Sequence, residues 1–93
     1  MTIDEARERL RIGKGSMRSD GVLAILDEFG FTYRRSTKGH YVVTHAELSQ
    51  QSGFKTWSFN PPHGNRPVLN SYIGTLRTLL NTWEEELKEL GYE

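Results

Sequence analysis

Between Leu69 and Leu90, nine apolar side chains recur at helical intervals: Leu69, Tyr72, Ile73, Leu76, Leu79, Leu80, Trp83, Leu87 and Leu90. At 3.6 residues per turn these positions share one face, so the segment predicts a long amphipathic helix, with Asn70 placed to cap its start and Gly91 to stop it. A helix with a single apolar stripe has to bury that stripe against another layer. A chain of 93 residues has room for one such core, and so for one domain.

The middle of the chain supplies the other layer. Val22, Leu23, Ile25, Leu26 and Phe29 mark a shorter helix, with Ser19 as its expected N-cap and Gly30 as its end. Residues 31–36 alternate Phe31 and Tyr33 with Thr32 and Arg34, and residues 41–44 are aromatic and β-branched. Both stretches read as strands, joined by a hairpin loop over residues 37–39 in which Gly39 supplies a positive φ. A polar connection over residues 45–53 leads to a third strand at residues 54–59, and the three prolines of residues 60–67 end the sheet. The expected fold is therefore α+β in the order α-β-β-β-α, a three-stranded antiparallel sheet with both helices on one face. Residues 1–18 read as an N-terminal extension or a short helix near residues 4–10 with a linker at Gly13 and Gly15, and residues 19–93 as the single domain.

Several function classes drop out. The chain has no cysteine, which excludes disulfides and thiolate metal sites. It has no apolar run of membrane-spanning length and no leader-like start, so a soluble cytoplasmic protein is expected. Its three histidines, His40, His45 and His63, lack metal-ligand spacing, and neither metal nor cofactor is expected. The zero net charge conceals segregation: residues 29–80 carry six basic side chains against Glu47 alone, and residues 81–93 carry five glutamates against Lys88. That pattern suits either a basic working surface or an ordinary solvated exterior.

Lys38, Gly39 and His40 concentrate the chemistry. Imidazole ordinarily titrates near neutral pH, and Arg34, Arg35 and Lys38 would hold an anion such as a phosphodiester beside it. The competing reading of His40 is a solvent-exposed strand residue. His45 lies on the opposite face by strand parity and reads as an edge or loop residue. His63, in the proline-bounded loop, either touches a ligand, caps the last helix or does neither. Phe31, Tyr33, Tyr41, Trp57 and Phe59 fit the face beneath the helices better than a base-stacking platform.

Taken in order, these segments resemble the HicA family of small ribonuclease toxins, which share a double-stranded-RNA-binding-domain-like fold. Ile25 through Phe31 are similar to the family's leucine-rich helix followed by glycine and an aromatic, and His40 stands at the place of its catalytic histidine. Pro61, Pro62, His63 and Gly64 are similar to its Pro-X-His segment, and Gly74 through Leu80 to its Gly-Thr-Leu-Arg run in the last helix. Where the family has glycine and then serine before the histidine, this chain has Lys38 and Gly39.

The resemblance implies the toxin of a type II toxin–antitoxin system, a metal-independent endoribonuclease acting on mRNA and blocked by a HicB-like antitoxin. His40 would be the general acid or base, and Arg35, Lys38, Gly39, His63 and Arg77 the substrate-binding candidates. Arg77 alternatively only solvates its helix. A non-catalytic RNA-binding module and a protein interaction domain on the same fold are the alternatives.

Overall fold

The computed structural model describes residues 1–92. The elements are α1 (Ile3–Ile12), α2 (Ser19–Glu28), β1 (Phe31–Arg35), β2 (Tyr41–His45), a 3-10 turn (Leu48–Gln50), β3 (Trp57–Phe59), α3 (Asn70–Thr82) and α4 (Glu84–Glu89). The three strands form one antiparallel sheet in the order β1-β2-β3. Phe31 pairs with His45, Tyr33 with Val43 and Arg35 with Tyr41, and Tyr41 in turn pairs with Phe59. This set is one face of the sheet, and Phe31, Val43, His45 and Phe59 are buried on it. Thr32, Arg34, Val42, Thr44 and Ser58, the alternate residues, are exposed or half-buried. The helices cover the first face and leave the second open.

Residues 1–18 belong to this core. Thr2 and Glu5 form a reciprocal capping box at the start of α1, each side chain taking the other's backbone N–H. Ile3, Ala6 and Leu10 are fully buried in the same cluster as the sheet and α3. The glycine-rich stretch expected to be a linker is a tight turn, in which the Gly13 carbonyl accepts from Ser16 N–H at 2.9 Å and from Met17 N–H at 2.7 Å. Asn70, expected to cap α3, instead accepts from Gly15 N–H at 2.8 Å and ties that turn to α3. Ser19 likewise is the first residue of α2, with Arg18 in the cap position and no side-chain cap. Gly30 ends α2 as expected, at φ 79°.

The last apolar stripe is split. Trp83, at φ −108° and ψ 18°, interrupts the helix between α3 and α4 while its ring packs 5.6 Å from that of Phe54. After the break Leu87 is in the core and Leu90 is outside it, and Leu69, ahead of α3, is exposed as well. Arg7 of α1 clamps the join, donating to Asn81 at 2.9 Å and to Glu84 at 2.5 Å, and pairing with Asp4. Glu84 and then Asp4 raise the Arg7 pKa, and Arg7 with Lys88 lowers that of Glu84 to about 2. Gly91 ends α4 at φ 97°, and Tyr92 N–H returns to the Leu87 carbonyl at 2.9 Å.

His45 corrects the expectation of an edge or loop residue. Parity does place it opposite His40, but on the covered face, where it is 0% exposed. Its Nε2 lies 2.9 Å from the Phe29 carbonyl, and its Nδ1 faces the N–H groups of Glu47 at 3.3 Å and Leu48 at 3.2 Å. In this arrangement Nε2 faces an acceptor and Nδ1 faces two donors. Glu47 Oε2 also lies 3.2 Å from Nδ1.

Candidate active site at the hairpin tip

The β1–β2 hairpin positions the candidate histidine. Gly39 takes φ 85°, a left-handed conformation that glycine adopts without steric cost, and this closes the loop. Its N–H donates to the Ser36 carbonyl at 2.9 Å, and Ser36 N–H donates to the His40 carbonyl at 2.8 Å. The Ser36 hydroxyl oxygen accepts from His40 N–H at 3.2 Å, fixing the backbone on both sides of the imidazole. His40 itself is exposed, and among the described residues its ring nitrogens have no hydrogen-bond partner. The alternation of β2 puts its side chain on the side of Val42 and Thr44, the open face.

Two expected cations share this tip. Arg35 is anchored by its Nε, which donates to the Gly39 carbonyl at 3.2 Å, and its guanidinium carbon sits 5.2 Å from the centre of the Tyr41 ring. Anchoring through Nε leaves the two terminal nitrogens for an anion. Lys38 projects from the loop and is exposed. Arg35, Lys38, Gly39 and His40 are thus brought together within one turn of chain.

Strand pairing adds a residue that the sequence reading missed. Phe59 lies opposite Tyr41 where the register ends, so Asn60, the next residue, leaves β3 at the hairpin end of the sheet. Its amide can both donate and accept there. Asn60 carried no motif, and only the register of β3 reveals it. The loop of residues 60–67 leaves the sheet at this same end and carries His63, which is exposed.

Arg77 stands apart. It is half-buried on the flank of α3 that faces α1, in line with Asn81, and its charge lowers the pKa of Glu8 after the larger effect of Arg11. Its Nε is buried without a hydrogen-bond partner. This placement supports packing of α1 on α3, and nothing in it aims the guanidinium at the hairpin.

Charge is divided by layer. Among the described residues every carboxylate side chain except that of Glu47 sits on a helix, and none sits on a strand. Arg34, Arg35 and Lys38 give the hairpin a positive field with no acid of its own. A surface depression of about 340 Å³ beside Thr2, Ile3, Asp4 and Lys88 lies on the helix side and holds none of these groups. No helix of the described residues is long and apolar enough to cross a membrane. Compared with family models, curated proteins and solved structures, the chain has no match.

Proposed function

We infer that the protein is a HicA-type endoribonuclease in which His40 transfers a proton during self-cleavage of RNA. The observation that carries this reading is the exposed, unpaired imidazole of His40 on a braced hairpin whose loop also carries Lys38 and whose Gly39 carbonyl anchors Arg35. The three-stranded antiparallel sheet with helices packed on one face supports it.

The chemistry needs little from the protein. The ribose 2′-oxygen bonds to phosphorus as its proton passes to a base, and the bond from phosphorus to the 5′-oxygen breaks as that oxygen takes up a proton. The products are a 2′,3′-cyclic phosphate and a 5′-hydroxyl. RNA supplies the nucleophile, so no metal-bound water is required. His40 occupies one of the two proton-transfer positions, and Arg35 and Lys38 offset the charge that builds on the phosphate oxygens. An antitoxin of the HicB type that covered the tip would block the site sterically.

Purified protein should cleave single-stranded RNA in EDTA, and His40→Ala should lower the rate by about 10²–10⁴ with folding and RNA binding retained. Equal cleavage by His40→Ala overturns the assignment. Binding by the wild type without cleavage points to a non-catalytic RNA-binding module.

A further inference from the structure

We propose that the open face of the sheet is a track for the sugar–phosphate backbone of single-stranded RNA, leading to His40 with the bases turned outward to solvent. This rests on the ribonuclease reading and adds to it how the substrate is held and how little of its sequence is read.

The argument starts from what the face presents. Thr32 lies opposite Thr44, and Arg34 opposite Val42 and then Ser58, giving three hydroxyls, one guanidinium and one small apolar side chain on a single surface. Four of these residues, together with Tyr33, line a shallow depression of about 260 Å³. His40 continues the same side beyond Val42, so the depression runs into the hairpin tip.

Charge identifies the occupant. The carboxylates of the described residues are on the helices, apart from Glu47, so an anion meets no like charge on the strands. The hydroxyls select among anions. A ribose–phosphate chain alternates charged oxygens with 2′-hydroxyls, which threonine and serine can pair with as donors or acceptors. An acidic peptide would set carboxylates against hydroxyls with only Arg34 to neutralise them.

The bases find no counterpart. Single-stranded nucleic acid is usually held by aromatic rings on which bases stack. Here strand parity assigns Phe31, Tyr33, Tyr41, Trp57 and Phe59 to the covered face, three of them in a stacked series in which Tyr41 lies 5.3 Å and Trp57 5.2 Å from Phe59, and of the five Tyr33 also contributes to the lining of the depression. The open face therefore reads phosphate and ribose and is indifferent to base identity.

The test uses the full chain and unstructured oligoribonucleotides that differ only at the central nucleotide. Arg34→Gln and Thr44→Glu should raise KM with kcat little changed. Arg34→Gln should also reduce the salt dependence of binding by about 0.7, the loss of one single-strand phosphate contact. The matched charge loss Arg9→Gln on α1 should do neither. Rates for the four central nucleotides should differ by less than about fivefold, below what one bidentate base contact provides. Circular dichroism checks that each variant is folded.

Wild-type cleavage with KM unmoved in both open-face variants overturns the track and leaves the ribonuclease reading intact. Strong preference for one central nucleotide overturns the outward placement of the bases. RNA binding that weakens in both variants, without any cleavage, supports the track while the catalytic reading fails. Binding of polyglutamate in preference to RNA overturns the track in favour of an acidic protein partner.

Discussion

Replacing His45 by phenylalanine isolates the polar part of a buried residue, because the ring volume is nearly kept. His45 joins the end of α2, through the Phe29 carbonyl, to the 3-10 turn, through Leu48 N–H, and both bonds are buried. The third, from Glu47 N–H, is partly exposed, and water can replace it. His45→Phe leaves one carbonyl and one amide buried without partners, at about 1–3 kcal/mol each. Added apolar burial returns roughly 1 kcal/mol, so the net loss expected is about 3 kcal/mol. For a chain of 93 residues the total stability is roughly 5–14 kcal/mol, so this is a large fraction of it. Urea unfolding followed by tryptophan fluorescence should show a lower midpoint with an unchanged slope. His40→Phe, at an exposed position, should move stability by no more than about 0.5 kcal/mol. A loss at His45 below about 1 kcal/mol would refute the claim that its ring nitrogens hold the α2 end and the 3-10 turn together.

Four further substitutions test the fold. Leu10→Ala should cost about 2–5 kcal/mol in the same urea assay, and a negligible cost would show that α1 lies outside the cooperative unit. Gly39→Ala should cost about 1–2 kcal/mol from its left-handed backbone alone, since a β-carbon there meets nothing within 4 Å. Gly30→Ala should cost more in paired thermal melts, because its β-carbon would fall 2.2 Å from the Tyr92 hydroxyl oxygen. Glu84 has its pKa lowered from 4.5 to about 2, chiefly by the hydrogen bond from Arg7 and then that from Lys88. Its contribution is complete above the unfolded value and lost as pH falls through about 2. Glu84→Gln should therefore be less stable than wild type near neutral pH and converge on it as pH falls through about 2, and curves that stay parallel to the acid limit would contradict the pairing.

What the sequence disclosed depended on whether the cause was local. Gly30 and Gly39 mark turns because left-handed backbone is a property of single residues, and both take positive φ. The alternation in β1 and β2 identified the covered face because side-chain direction is local to a strand. The role of α1 was harder to see, since its buried set is only Ile3, Ala6 and Leu10 among many charges. The break at Trp83 has no proline or glycine to announce it and follows from the paths of α1 and the core. His45 was misjudged because its burial depends on partners at Phe29 and Leu48 that only tertiary structure supplies. At the candidate site the hairpin residues were legible, whereas Asn60 needed the register of β3 and Arg77 needed the packing of α1 on α3.

Because carboxylates sit on the helices and cations crowd the hairpin, a molecule of zero net charge carries a standing electric dipole across its layers. At long range a polyanion feels little net pull from such a body. Inside about a Debye length, near 8 Å at physiological salt, it exerts a torque that turns the sheet toward itself and the helices away. Raising the ionic strength should therefore spoil the orientation of encounters while leaving diffusion untouched.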